Sequence, residues 1–320
     1  MIERVAVTGA TGFIGRHLTT FLVDRGVKVS AVVRPGSVRV AAAGATVITA
    51  PLETAALTRA FSGVDVVVHL AAVVSAVRAQ EYTDVNVEGT RAVAAAARAA
   101  GTRLIHVSSL AAVGPASPAA PRREDDLPNP LTPYGRSKLE SERAVQSTEG
   151  LRWTILRPGV VYGPGDRAML PLFRLATRGI LPLVGRRGAA YTFVHVSDTV
   201  RAIDAALNAN VDGDIIFVGH PRPVTAVEVL ETIRAVLHRR ATVMPIPGAI
   251  LHVAAMAGEV AGRAIGRPLA LNRSRYRELS AEGFVCHVDR LRDRLKIVAQ
   301  MDLREGFADL ASWYHQEGWL

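Results

Sequence analysis

The chain has 320 residues, 49% of them hydrophobic and 21% charged, which excludes a disordered segment and fits one large domain, or a main domain with a smaller appendage. Its net charge of +9 comes from arginines scattered along the whole length. With aromatics at only 5%, a nucleic-acid-binding function is not expected. A single cysteine, Cys286, excludes an internal disulfide and fits a reducing compartment; the start MIERVAVTG carries no targeting pattern, so a cytoplasmic protein is expected.

The first 160 residues alternate short β-rich runs with longer helical stretches. Strands are expected at 4–9 (RVAVTG), 27–33, 45–50, 65–70 (DVVVHL), 103–109 (RLIHVSS) and 153–158 (WTILRP). Helices are expected at 13–26 and 87–101 between them. Near-continuous apolar strands with intervening helices imply an α/β fold: a doubly wound parallel sheet with a Rossmann-like dinucleotide-binding domain at 1–160. Residues 115–133, rich in proline and charge, read as a surface loop. Beyond them come a helix at 196–210, a strand at 214–219 and a helix at 225–240. The rest is mostly helical, so 161–320 is expected to form a smaller substrate-binding portion, partly interleaved with the first. No uninterrupted apolar run reaches about 18 residues. The nearest, 249–266, is broken by His252, Glu259 and Arg263 and reads as a packed helix, so no membrane partner is expected.

Between the first strand and first helix stands TGATGFIG (8–15). Gly9 suits a tight turn, Gly12 a close backbone approach to a pyrophosphate, and Gly15 a close helix–strand contact. The helix that follows points its positive end at such a ligand, which brings Thr11, Phe13 and Ile14 to the same place. About 20 residues on, where an acidic side chain would take the ribose 2′-hydroxyl of NAD, the chain has Arg34. A guanidinium there matches a 2′-phosphate, so NADP is expected over NAD; a solvated arginine at a strand end is the competing reading.

The third signal is PYGRSK (133–138). Only three of the 38 basic residues are lysine, and Lys138 is one of them, four places after Tyr134 and so on one helical face with it. Moving hydride at carbon requires moving a proton at oxygen, and a phenol beside a compact ammonium can do that with a lowered pKa. Ser109, at the C-terminal end of the fifth strand, offers a hydroxyl to hold the reacting oxygen. Ser108 competes for that role, and strand alternation puts the two on opposite faces.

Taken together, TGATGFIG, HLAA (69–72), NVEGT (86–90), VSSLAAVG (107–114), PYGRSK, LRPGVVYGPGD (156–166) and FVHVSD (193–198) resemble the extended short-chain dehydrogenase/reductase family, the NAD(P)-dependent epimerase/dehydratase group. The resemblance implies Ser109, five residues before Gly114, as catalytic serine, Tyr134 as acid/base, and Lys138 as its pKa partner and ribose ligand. It further implies Leu52, Leu70, Ala71, Ala72 and Pro158 along the cofactor, with Asn86 supporting the site and a homodimer as a family-based expectation. Val160 and Tyr191 stand where nucleotide-sugar enzymes of the family commonly have asparagine and arginine. The spelling is closer to the hydroxysteroid-dehydrogenase and dihydroflavonol-reductase-like branches. The expectation is therefore an oxidoreductase for a secondary alcohol or ketone of a small, largely apolar molecule. Its alternatives are a nucleotide-sugar epimerase or dehydratase with the same triad, or a non-enzymatic dinucleotide-binding regulator. His195 reads as a structural residue, and no metal is expected.

Overall fold

A computed structural model describes residues 2–37 and 42–320. Seven strands form the main sheet: β1 (Arg4–Thr8), β2 (Lys28–Val33), β3 (Thr46–Thr49), β4 (Val66–His69), β5 (Arg103–Val107), β6 (Trp153–Pro158) and β7 (Ile215–Val218). They are ordered β7-β6-β5-β4-β1-β2-β3, and every pairing is parallel. Five helices cross over between them: α1 (Phe13–Asp24), α2 (Thr54–Ala60), α3 (Gly89–Ala99), α4 (Pro133–Gln146) and α5 (Val196–Asn208). The strand order reverses between β1 and β4, the switch point at whose carboxyl ends ligands of open α/β sheets bind.

Both faces of the sheet are covered, which is why β4 and β5 are buried at every position rather than at alternate ones. One face packs Leu18 and Leu22 of α1 against Ile203 and Leu207 of α5. The other packs Leu57 and Phe61 against Val93 and Ala97 of α3. Strand β7 and helix α5 both lie beyond residue 160 and complete this sheet and its core. A separate aromatic cluster, with Tyr162, Phe173, Phe193, Phe307 and Tyr314 meeting edge to face, holds the smaller portion together.

Three expectations are corrected. The 115–133 segment is more than a surface loop. The amide of Ala116 donates to the Gly283 carbonyl (3.0 Å), Arg122 bridges to Cys286, and the buried Glu124 accepts from the amide of Phe217 (3.1 Å). The segment is a strap across the edge of β7, and the Glu124 carboxylate is taken up by a backbone donor of that strand. The helix expected over 225–240 stops at Val236: His238 turns left-handed (φ 50°), and Thr242–Pro245 then pairs with Ile180–Leu183 as a small parallel ribbon. Finally, 249–266 does form a helix, α6 (Gly248–Ala264), but only Leu251, Ala255 and Gly262 of it are buried. It leads into α7 (Arg273–Ser280), which lies against it. No helix among the described residues is long and apolar enough to cross a membrane.

Candidate active site

The glycine loop is built around close approaches. Gly9 has φ of +73°, and a Cβ there would stand 2.6 Å from the amide nitrogen of Ala71. A Cβ on Gly15 would meet the Gly9 carbonyl oxygen at 2.1 Å. The loop thus nests against the end of β4, which brings Leu70 and Ala71 beside it. Gly12 caps α1 with extended backbone and no side-chain hydrogen bond, so no side chain of the cap takes up the first amides of the helix. That arrangement suits a bound anion: free N–H donors, a helix dipole and no Cβ in the way. Phe13 follows and touches the Gly165 turn, while Ile14 packs on the core.

The other predicted cofactor residues fall around the same rim. Arg34 is exposed, one residue past the end of β2, and Pro158 ends β6 opposite Val218. Leu52, after β3, leans on Gly89, where a Cβ would meet its Cδ1 at 2.9 Å.

Helix α4 carries Tyr134 and Lys138. Thr132 caps it, accepting from the amide of Gly135 (3.2 Å), and Pro133 fills the first turn without wasting a donor. A Cβ on Gly135 would sit 2.5 Å from the Ala111 carbonyl oxygen, so glycine between the two functional residues lets α4 dock on the Leu110–Ala112 turn. Ser109 caps that turn, accepting from the Ala111 amide (3.1 Å), and its hydroxyl is the neighbour that draws the Tyr134 phenol's pKa down. Ser108 is buried, and its hydroxyl has no partner among the described residues. Of the two serines, the fold brings Ser109 to the tyrosine.

Lys138 is held differently from the simple picture of an ammonium lowering a neighbouring phenol. Its buried Nζ donates to the Val107 carbonyl (2.9 Å), and burial brings its pKa down to about 8. The Tyr134 phenol is pushed up to about 12 by loss of water, with the Ser109 hydroxyl as the opposing influence. The shift of the phenol is thus set by burial, and the contact that the structure gives the ammonium is the Val107 carbonyl. Below α4 the buried polar side chains meet partners, although Arg157 Nη1 and His106 Nδ1 have none among the described residues. Glu142 takes a two-pronged contact from Arg157 (2.9 and 2.6 Å), and Ser141 bonds His106 (3.0 Å). His106 stacks on His69, which lies between the hydroxyls of Thr8 (2.6 Å) and Thr90 (2.9 Å). Burial keeps both rings neutral: His69 falls to about 3 and His106 well below its ordinary value.

Asn86 sits in a π-helical turn, Thr83–Glu88. Its amide donates to the Val73 carbonyl and to the Ser137 hydroxyl (2.9 Å each), and its oxygen accepts from the Val73 amide (2.7 Å). It ties the chain after β4 to the helix bearing Tyr134. Sequence reasoning missed Tyr82, whose ring centroid lies 6.3 Å from that of Tyr134. It also missed Glu278, which the Thr132 hydroxyl reaches at 3.4 Å. No spacing signals Glu278, since 146 residues separate it from Thr132. His195 caps α5, with Nδ1 2.7 Å from the Ser197 hydroxyl and Nε2 3.4 Å from Asp309, a structural placement.

A family model described as "NAD dependent epimerase/dehydratase family" matches residues 5–219. The chain belongs to that family. It is an enzyme of the extended short-chain dehydrogenase/reductase type, with the Rossmann fold of that group. Among curated relatives, the ceramide reductase of Caulobacter vibrioides is 31% identical over 321 positions, covering 99% of this chain and 96% of that protein. The 4-hydroxy-2-methyl-3-oxo-4-farnesyl-3,4-dihydroquinoline-1-oxide ketoreductase of Stigmatella aurantiaca is 32% identical, covering 89% and 93%. Among solved structures, MoeE5 in complex with UDP-glucuronic acid and NAD superposes with a TM-score of 0.77 at 26% identity, covering 98% of this chain and all of that one. Members of the NAD dependent epimerase/dehydratase family near this chain thus include both net reductases and a binder of nucleotide sugars.

Proposed function

We propose that this chain is an NADP(H)-preferring oxidoreductase acting on a ketone or secondary alcohol within a largely apolar molecule. The observation that carries the reading is the Ser109–Tyr134 hydroxyl pair with Lys138 buried one turn away. The glycine cradle fits a dinucleotide: Gly9, Gly12 and Gly15 with the amides of Phe13 and Ile14 would hold the pyrophosphate. Arg34 would meet a 2′-phosphate, Leu52 the adenine, and Leu70, Ala71, Ala72 and Pro158 the inner half. The cofactor, when bound, supplies or accepts the hydride.

The chain's own residues handle the proton. A carbonyl carbon that gains hydride leaves an oxygen needing one proton. Tyr134, protonated at neutral pH because burial holds it near 12, is the donor. The Ser109 hydroxyl donates to the same oxygen and steadies charge developing there. Once the proton has left, the Lys138 ammonium is the nearby cation that favours the phenolate. Two reductases of bulky, hydrocarbon-rich substrates among the relatives support an apolar substrate, as do Val160 and Tyr191 in place of the usual sugar-nucleotide residues.

Two measurements test this. Tyr134→Phe lowers turnover of NADPH with ketones by about 10²–10⁴-fold while the affinity for NADPH holds. Arg34→Asp weakens NADPH binding by about tenfold or more, the scale of one lost charge-assisted phosphate contact, and leaves NADH binding nearly unchanged. Equal losses for both cofactors remove Arg34 from the site. Tightly held nicotinamide with no net NADPH turnover, and interconversion of UDP-sugars instead, replaces the reductase reading with an epimerase.

A further inference from the structure

We propose that the outer face of α6 lies on an anionic lipid surface. The helix presents Ile250, Val253 and Val260 at 61–68% exposure, and Met256 beside them at 40%. At 3.6 residues per turn, Ala249, Val253, Ala257, Val260 and Ala264 form the arc opposite the buried Leu251, Ala255 and Gly262. The outermost stripe of the helix is therefore apolar for its whole length, with Arg263 and His252 only at its flank. Soluble proteins rarely leave such a stripe to water without a partner.

Charge identifies the partner. Residues 239–278 contain seven arginines (239, 240, 263, 267, 273, 275 and 277) against two glutamates, a balance of +5 out of the chain's +9. All seven arginines are exposed. Both glutamates are already engaged: Glu259 pairs with Arg263 (2.7 Å) and Arg273 (3.8 Å), and Glu278 with Arg275 (3.3 Å). A second copy docked face to face would bring these arginines against one another. An anionic headgroup layer offers them phosphates while the stripe enters the acyl boundary, the arrangement of an interfacial amphipathic helix.

The inner face of the same helix has a second consequence. Gly258 and Gly262, with Leu269, form one wall of a cleft whose other wall includes Val77, Tyr82 and Pro133, next to the candidate acid/base. A helix lying in the interface on one side and walling that cleft on the other, where Glu259, Arg263 and Asn272 also line it, sets the cleft mouth beside the membrane for an amphipathic, lipid-like substrate. This consequence rests on the function proposed above; the docking itself does not.

The test is flotation of the full chain with vesicles of phosphatidylcholine carrying about one-third phosphatidylglycerol, against vesicles of phosphatidylcholine alone. The chain is expected to float with the anionic vesicles at low salt, to do so about tenfold less with neutral ones, and to be released by high salt. The double substitution Val253→Asp/Val260→Asp lowers partitioning by about a hundredfold, since it replaces two buried apolar contacts by charges. Turnover of a small water-soluble ketone stays unchanged in that variant. No flotation with either vesicle, or flotation that survives the double substitution, overturns the proposal. A concentration-dependent dimer abolished by the same substitutions gives the face to a second copy and overturns it equally. Failure of the redox reading, seen as no nicotinamide turnover, leaves the flotation result untouched.

Discussion

Two helices of similar length, α4 and α6, invert the usual relation between composition and burial. PYGRSKLESERAVQ is strongly polar, yet Gly135, Ser137, Lys138, Ser141, Glu142, Ala144 and Val145 are buried. GAILHVAAMAGEVAGRA is strongly apolar, yet three of its seventeen residues are buried. Ordinary folding energetics favours neither arrangement. Burying the α4 groups costs desolvation that only complete pairing offsets, and each has its partner: Lys138 with Val107, Ser141 with His106, Glu142 with Arg157. What that arrangement secures is position, a phenol and a serine hydroxyl held in register by α4 and β5. Helix α6 forgoes burial it could have had, which makes sense where a partner outside the chain completes it.

Breaking the pairing under α4 gives the largest expected effect. Glu142→Ala leaves the Arg157 guanidinium buried and unpaired, and is expected to destabilise the fold by about 3–5 kcal/mol in urea titrations. A loss below about 1 kcal/mol would show that the buried ion pair does not organise α4.

Next comes pH. The folded pKa of His69 (about 3) lies below the unfolded value near 6.5, and that of His106 is likewise lowered by burial, so the unfolded chain binds more protons once pH falls below about 6.5. Stability contributed by keeping the rings neutral is fully present above about pH 6.5 and is lost progressively as pH falls below it, for His69 until about pH 3. Urea midpoints measured from pH 7 downward check this, and His106→Gln should flatten the slope by one ring's share. A profile that stays level below pH 6 would mean that the rings protonate in place.

The smallest effect belongs to α6. Val260→Ala is expected to change stability by less than about 0.5 kcal/mol, because the methyls it removes are already in water. A larger loss would place Val260 in a core contact and weaken the contrast between the two helices.

Much of this was legible in residues close together in sequence. The glycine triplet states its own reason, since Gly9 and Gly15 each face backbone where a Cβ cannot fit. The spacing of Tyr134 and Lys138 is a helical spacing, and the six expected strands all appear within a residue or two of their ends. Residues that meet through the fold left no such trace. Tyr82 and Glu278 come to the Tyr134 region from 52 positions before and 144 after it, and neither sits in a motif. The 115–133 strap misled because proline and charge signal solvent, whereas Glu124 and Arg122 spend their polar groups on the edge of β7 and on residues 285–287. Lys138 misled in a similar way, because its carbonyl partner, Val107, lies 31 residues back on another element.

By itself the sequence determined the strand–helix alternation, the tight glycine loop between the first strand and helix, and the helical spacing of Tyr134 and Lys138, because each depends on local periodicity or on backbone room that only glycine gives. Tertiary structure decided which serine faces the phenol, which way the ionisable groups shift, and that an apolar helix stays outside. Those outcomes follow from desolvation and from contacts between distant segments, and desolvation is a property of neighbours that the order of residues does not specify.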